Sequence, residues 1–223
     1  MGMSYEEAID YVQNFMQDRP SKVKELALTD GIDRSRFAKD DIRCEVGLFW
    51  YAFAGGKFSS NPKAYPNCQG VVGWINPDPN APEGNRIYIV LPEQNSLKYS
   101  YEYCKTGVDD LYDGRANTKK LLEYGRKHGV KFPAAEFAFN YTKNGVKKGE
   151  AFLPAREQLV RLCENTKKLR KSLKKIGGTF EGFLLSSSEC NLSHAWRVHS
   201  SSGLMLITNK GNDANSVSCL LAY

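Results

Sequence analysis

The hydrophobic positions at the start of the chain follow a helical pattern. Ser4 and Glu7 have the spacing of a capping box, and apolar residues follow them at helical spacing. We expect this helix to end at Arg19, because the residue before a proline disfavours helical geometry. A second short helix or turn is predicted for residues 21–28, and a buried strand or short helix for residues 45–53. Residues 1–60 are therefore predicted to form a mostly helical N-terminal segment.

From Asn67 onwards the pattern changes to short apolar runs that are separated by turn residues. Residues 70–75 form one run and residues 86–91 form the next, with a stretch rich in Asn and Pro between them. Such a stretch favours a turn, so the two runs predict a hairpin with a long tip.

Two longer segments predict the main helices. Asn117 can cap a helix that continues to His128 and stops at Gly129. The second helix starts after Pro154 and stops at Gly177–Gly178, and its apolar face consists of Leu159, Leu162, Cys163, Thr166, Leu169, Leu173 and Ile176. Helices placed among short strands without regular alternation favour an α+β fold over a parallel α/β fold.

An irregular segment near the C-terminus lies between two regular apolar runs. Residues 190–216 have no periodicity and few charges, except that Trp196–His199 alternate as on a half-buried strand. We expect Ala195, Trp196 and Val198 to anchor this segment, together with Val217, Cys219 and Leu221 of the last strand. Truncation of Trp196 is then expected to cost about 3–5 kcal/mol.

The outward residues of this segment are the candidate ligand-contact surface. Arg197 and His199 would supply charge-assisted hydrogen bonds, and Leu204 and Leu206 would supply apolar contacts. The full candidate set is Asn191, Ser193, His194, Arg197, His199, Ser201, Ser202, Leu204, Leu206, Thr208, Asn209, Gly211, Asn212 and Asp213.

The composition is that of an ordinary globular protein. The chain has 223 residues and a net charge of +6, with 41% hydrophobic and 25% charged residues. It shows no export signal and no apolar run of about 20 residues, the length that a membrane span needs. We therefore expect a soluble chain, either cytoplasmic or phage-borne, that could be displayed through a partner.

The residues with metal-binding or catalytic side chains lack the required spacing. The six cysteines have no metal-site spacing and are expected to be free thiols. Asp109, Asp110 and Asp113 resemble a turn more than a metal loop. We expect no metal and no cofactor.

The basic residues concentrate on the helix that follows Pro154. Lysines between Lys167 and Lys175 lie opposite its apolar face, which is typical of a solvated surface. A nucleic-acid site would also need aromatic residues on the basic face. No nucleic-acid partner is expected, and binding through this helix is the weakest of the alternatives.

The order of several short motifs resembles a known pattern. The runs GVVGWI, IVLPE, DGRANTKKLL, FPAAEFAFNY, EAFLPAREQLVRL and GGTFEGFLLSSSE, followed by AW and a final strand, extend from Gly70 to Tyr223. This order resembles bacterial domains with the C-type lectin fold, in the branch that includes formylglycine-generating enzymes and Fibrobacter-slime-type domains. The resemblance implies an α+β, C-type lectin-like domain over residues 61–223, with short mixed strands, two main helices and long loops.

Residues 186–223 also resemble the variable region of proteins that are diversified by a retroelement. In that family a reverse transcriptase randomises adenines, so an Asn codon in the template cannot become Lys, Glu, Gln, Trp or Met. Between Cys190 and Ser216 those residue types occur only at Trp196, Met205 and Lys210. An ordinary loop rich in Ser and Asn would be depleted in the same types, so this alternative stays open.

These observations predict a protein without enzymatic activity that binds a protein or surface ligand through residues 186–223. Cys190 and Cys219 are not placed like the copper-binding cysteines of the formylglycine-generating relatives, and the calcium-binding triplets of sugar-binding lectins do not occur. One alternative is a fixed-sequence module of the same fold with a role in surface assembly. The other is an unrecognised activity of the formylglycine-generating type.

Overall fold

The computed structural model describes residues 46–78, 80–82, 84–212 and 215–223. The helices predicted for residues 4–19 and 21–28 lie outside these residues. The strands are β1 (Tyr51–Phe53), β2 (Lys57–Ser59), β3 (Cys68–Ile75), β4 (Ile87–Ser96), β5 (Phe183–Glu189), β6 (His194–His199), β7 (Met205–Asn209) and β8 (Ser216–Ala222). The helices are α1 (Gly114–His128), α2 (Pro133–Phe139), α3 (Arg156–Cys163) and α4 (Thr166–Lys174), and a 3-10 turn covers Lys143–Gly145.

All eight strands in the described part of the chain belong to one mixed sheet, in the order β2-β1-β3-β4-β8-β5-β6-β7. Neighbouring strands are antiparallel except β5 and β8, which are parallel. The last strand of the chain, β8, therefore lies inside the sheet, and β7 is one of its two edges. β1 and β2, which precede residue 60, pair within the same sheet.

Helices pack on both faces of the sheet. On the first face, Ile89, Leu185 and Cys219 belong to a core that also contains buried residues of α1 and α2. On the second face, Val90, Leu184 and Leu220 pack with buried residues of α3 and α4. Because successive strand residues point to opposite faces, strands such as β4, β5 and β8 contribute residues to both cores.

The hairpin of β3 and β4 confirms the prediction from the apolar runs at residues 70–75 and 86–91. The helix predicted to end at His128 is also confirmed, although it begins at Gly114. Asp113 caps it, because the Asp113 side chain accepts a hydrogen bond from the Ala116 amide at 2.8 Å. Gly129, with φ 74°, ends it in the left-handed conformation that glycine allows.

The helix predicted between Pro154 and Gly177 is divided into α3 and α4 at Glu164–Asn165. The Thr166 hydroxyl donates to the Cys163 carbonyl across this break, at 3.0 Å. The predicted apolar face is nevertheless continuous, since Leu159, Leu162, Leu169 and Leu173 are all fully buried.

The predicted C-type lectin-like fold with two main helices is wrong. The described residues form mainly β-structure, one continuous eight-stranded sheet with four short helices. The pattern of apolar residues indicates individual strands and helices, but strand order depends on contacts between residues far apart in the chain. The pairing of β8 with β4 and with β5 depends on such contacts, and the order of the motifs did not indicate it.

Candidate functional site

The segment singled out near the C-terminus forms a hairpin at the edge of the sheet. β6 and β7 pair antiparallel, with Ala195 opposite Thr208, Trp196 opposite Ile207 and Val198 opposite Met205. One turn, residues 190–193, joins β5 to β6, and a second turn, residues 200–204, joins β6 to β7. The hairpin therefore exposes two turns, one strand edge and parts of both faces.

Buried serines of β5 connect this strand to the hairpin, to α1 and to the segment that precedes α1. Ser186, Ser187 and Ser188 are fully buried. The Ser186 hydroxyl donates to the Trp196 carbonyl at 2.9 Å, and the Ser188 hydroxyl donates to the Asp110 carbonyl at 2.7 Å. The Ser187 hydroxyl accepts from the Asn117 amide group at 3.2 Å. The serine run therefore has a structural role, since each of the three buried hydroxyls forms a hydrogen bond to another segment of the protein.

A buried ion pair holds the far end of the hairpin. Lys210 is fully buried, and its Nζ lies 3.4 Å from Glu189 Oε2 and donates to the Cys104 carbonyl at 2.6 Å. Glu189 also accepts hydrogen bonds from the Thr106 amide, at 2.7 Å, and from the Thr106 hydroxyl. Burial lowers the pKa of Lys210, and the nearby Glu189 carboxylate opposes this shift. The pair joins the end of β7 to the segment around residues 99–106.

The turn between β6 and β7 is anchored to α4. Ser200 is fully buried, and its carbonyl accepts a hydrogen bond from the Thr166 hydroxyl. The Ser200 hydroxyl accepts from the Arg170 guanidinium at 2.6 Å, and Arg170 also donates to the Phe180 carbonyl at 2.7 Å. Ser201 and Ser202 beyond this anchor are exposed.

On the first face, the hairpin presents a half-buried cation. The Arg197 guanidinium lies over the Phe183 ring, 4.2 Å from its centroid, and donates to the Asn215 side chain at 3.4 Å. Leu206 lies opposite Arg197 in the register, and the His199 ring lies 4.9 Å from the Phe183 ring. These side chains can offer charge, hydrogen bonds and apolar contact to a ligand.

On the second face, the hairpin presents an apolar strip. Trp196 is half-buried under the Arg156 guanidinium, whose Cζ lies 4.8 Å from the centroid of the Trp196 ring. Arg156 also forms a salt bridge with Glu157. Met205 and Ile207, the cross-strand neighbours of Val198 and Trp196, are 43% and 47% exposed. α3 contacts β5 and β6, and the strip extends beyond that contact towards the sheet edge.

The structure distributes the candidate ligand-contact residues over both faces and both turns rather than over one surface. Thr208 is buried, so its predicted outward position is wrong; Ala195 opposite it is buried too, because both face the first core. Asp213 lies outside the described residues. The exposed members are Asn191, Ser201, Ser202, Leu204 and Asn209, and the half-buried members are Ser193, His194, Arg197, His199, Leu206, Gly211 and Asn212.

The predicted anchors Ala195, Val198, Val217 and Cys219 are fully buried, and Leu221 is buried at 4% exposure. Trp196 is not a core residue, although it was predicted to be one. Sequence reasoning missed Met205 and Ile207 as surface residues. The available signal was the strand pattern from Met205 to Asn209, which would have placed these two side chains on one face.

The two histidines of the hairpin are engaged in local turn contacts. His194 Nδ1 lies 2.9 Å from the Ser193 hydroxyl and 3.1 Å from Asn191 Oδ1. His199 Nδ1 lies 3.1 Å from the hydroxyls of both Ser201 and Ser202. Asp110 accepts hydrogen bonds from the backbone of Tyr112 and Asp113, which is the geometry of a turn. Among the described residues, no group of three or more His, Cys, Asp or Glu side chains could hold a metal ion.

The chain was compared with known proteins at the level of sequence and of structure. No protein-family model matches it, and no curated protein matches it. Among solved structures it is similar to a fimbrial protein from Bacteroides ovatus, with a TM-score of 0.61 and 16% sequence identity. The similarity covers 80% of this chain and 49% of that protein, so the chain spans about half of the fimbrial protein's length.

At this identity the likeness concerns the fold alone. The fold of the described residues is similar to that of this fimbrial protein, and their single eight-stranded sheet contradicts the C-type lectin fold predicted from the motif order. None of the described helices has the length and apolar composition that crossing a bilayer requires.

Proposed function

We propose that this chain is a ligand-recognition protein whose binding surface is the β6–β7 hairpin with its two turns, residues 190–212. The ligand would be another protein or a surface-borne molecule. The observation that carries this proposal is the contrast between the two sides of the hairpin. Its inner side is held by buried groups such as Lys210 and Ser200, and its outer side exposes Leu204, Met205 and Ile207. Adjacent exposed apolar residues on a monomer are typical of interaction sites.

We propose further that a retroelement diversifies this surface. The hairpin suits diversification, because its anchors are few and its outward side chains contribute little to the core. Surface substitutions away from caps and core usually change stability by about 0.5 kcal/mol or less. Diversification of Asn codons in the template cannot produce Trp196, Met205 or Lys210. Of these three residues, Lys210 is buried and Trp196 is stacked under Arg156. Lys210 would be expected to stay constant, because it is fully buried and paired with Glu189.

Deep sequencing of codons 186–223 in a natural population of the source organism tests the diversification. We expect substitutions to concentrate at Asn191, Arg197, Leu204, Leu206 and Asn209 and to spare Ala195, Val198 and Lys210. A uniform segment, or one in which Lys210 and Val198 vary as often as Arg197, would refute diversification of this surface.

A fixed-sequence module for surface assembly is the second candidate. The likeness to a protein described as fimbrial favours it, although the chain covers only about half of that protein. Uniform sequences in the population would support this candidate over the first.

A further inference from the structure

Among the described residues β7 is an edge strand, and none of their strands pairs with the outer side of its backbone. It stands last in the strand order, with β6 on its inner side. An edge strand presents a row of N–H and C=O groups that can pair with another extended chain. The register of the hairpin determines which residues of β7 carry these outward groups.

The backbone hydrogen bonds at both ends of the hairpin establish that register. His199 donates to the Leu204 carbonyl at 2.9 Å, and Lys210 donates to the Ser193 carbonyl at 2.9 Å. In antiparallel pairs, hydrogen-bonded and non-hydrogen-bonded residue pairs alternate. Arg197–Leu206 and Ala195–Thr208 are therefore hydrogen-bonded pairs, whereas Trp196–Ile207 and Val198–Met205 are not. The peptide groups of Met205 and Ile207 consequently point to the free edge.

The same two residues expose their side chains beside Trp196 on the second face. Their outward backbone groups and their apolar side chains thus occupy one short stretch of the edge. Natural edge strands are commonly protected by charged residues, prolines or bulges. The sequence Met205–Asn209 contains none of the charged residues and no proline, and its pairing with β6 is regular.

The charges near this edge indicate what kind of chain it could accept. Residues 190–212 contain no Asp or Glu, and their cationic side chains are Arg197 and Lys210. The Lys210 charge is matched by Glu189. No salt bridge within the described part of the chain involves Arg197, and its Nε is buried without a hydrogen-bond partner. A second copy paired through β7 would bring two such cationic hairpins together, so an acidic partner fits better.

We propose that β7 binds an extended, acidic segment of a partner protein by strand addition. The segment pairs with the outward peptide groups of Met205 and Ile207 and places apolar side chains against these two residues on the second face. On the first face it extends an acidic side chain across Leu206 towards Arg197. This inference rests on the proposed function, since it uses the same hairpin. It also adds a property useful to a diversified surface, because main-chain hydrogen bonds do not depend on which side chains the variable positions carry.

The test uses linear peptides of strand length in which Val or Ile alternates with Thr, Asp or Glu, selected for binding to the full chain. Ile207→Pro removes the outward N–H but leaves the ladder to β6 intact, since proline is tolerated on edge strands. Ile207→Ala is the matched control that removes the side chain and keeps the N–H. We expect Ile207→Pro to bind the selected peptides about tenfold more weakly than Ile207→Ala, with similar melting temperatures. Arg197→Gln is expected to reduce the preference for acidic peptides.

Hydrogen exchange of the parent protein provides a measurement that does not depend on the folding of a variant. The Met205 and Ile207 amides are expected to exchange fast in the free protein and about tenfold or more slowly with bound peptide. Equal peptide affinity of Ile207→Pro and Ile207→Ala, or protection that excludes these two amides, would overturn strand addition. A peptide library that yields no binder would also overturn strand addition. A dimer of the parent protein that the Ile207→Pro substitution abolishes would overturn it as well.

The outcomes separate this inference from the proposed function. Peptides that protect the turn residues and leave the β7 edge unprotected would contradict strand addition but still support the hairpin as a binding surface. Population sequencing decides the diversification independently of any peptide result.

Discussion

Lys210 is the residue whose role changes most between sequence and structure. Lysine is almost never fully buried unless it is paired. From the sequence, Lys210 was notable only because diversification of an Asn codon could not produce a lysine. In the structure its ammonium group lies between Glu189 and the Cys104 carbonyl, and its own backbone accepts hydrogen bonds from Tyr99 and Ser100. Lys210 therefore fixes the position of β7 relative to the segment around residues 99–106.

Lys210→Met should destabilise the protein by about 3–5 kcal/mol, because it leaves the Glu189 carboxylate buried without its counter-charge. Urea denaturation monitored by fluorescence measures this loss. Lys171→Met, an exposed position on α4, is the control and should change stability by about 0.5 kcal/mol or less. The double variant Lys210→Met with Glu189→Gln should recover part of the loss. Equal denaturation midpoints for Lys210→Met and the parent would contradict the structural role of the pair.

Trp196 lies on the surface of the second face and is not a core residue. Its ring is half-buried and stacks with Arg156, so Trp196→Ala should cost about 1–2 kcal/mol instead of the 3–5 expected of a buried tryptophan. Leu184→Ala, at a fully buried position of the same face, should cost about 2–5 kcal/mol and serves as comparison. Thermal or urea denaturation of the two variants compares them directly. A larger loss of stability for Trp196→Ala than for Leu184→Ala would show that Trp196 is a core residue after all.

At the scale of elements, a single buried side chain connects two helices. Gln158 Oε1 accepts from the Ala155 amide at 2.9 Å, at the start of α3, and from the Gly114 amide at 3.1 Å, at the start of α1. Gly114 leaves room for this contact, because a Cβ at this position would lie 2.6 Å from Gln158 Oε1. Helix starts leave amide groups without intrahelical partners, and Gln158 satisfies one in each helix.

Gln158→Leu should therefore cost about 1–3 kcal/mol for each buried amide that loses its acceptor. Lys120→Leu, which introduces the same residue on the exposed side of α1, should have little effect on stability. Denaturant midpoints measure both. If Gln158→Leu is as stable as Lys120→Leu, the two amides do not depend on the Gln158 side chain.

At the scale of the whole molecule, buried thiols and phenols make stability sensitive to alkaline pH. Burial raises the pKa of Cys163 to about 12 and that of Cys68 to about 11, from an ordinary value of 9.0. Burial, with a smaller effect of Glu93, also raises the pKa of Tyr141 to about 12. Above pH 9 the folded state thus holds protons that the unfolded state releases, and the free energy of unfolding must fall as pH rises. Below pH 9 these groups leave stability independent of pH.

Urea denaturation at pH 8, 9, 10 and 11 should show this fall beginning above pH 9. Cys163→Ala removes one of the groups, so its stability should decline less steeply with pH than that of the parent, whatever its stability at pH 8. Parallel declines of the two proteins would show that Cys163 does not contribute.

Particular elements show how much of the fold was predictable. The β3–β4 hairpin, the end of α1 at Gly129 and the apolar face shared by α3 and α4 follow from local periodicity and turn residues. α2 was not predicted, although its start at Pro133 is a common helix signal. The division between α3 and α4 was missed because the apolar face continues across it.

For the candidate site, the sequence alone determined that Ala195, Val198 and Val217 point inward, whereas β7 lies within a segment that was predicted to be irregular. These inward positions depend on neighbours in the chain. Tertiary structure alone decided the order of the sheet, the burial of Lys210 against Glu189, and the exposure of Met205 and Ile207. Each of these depends on which distant segment packs against a residue or leaves it uncovered, and no local pattern of hydrophobic and polar positions contains that information.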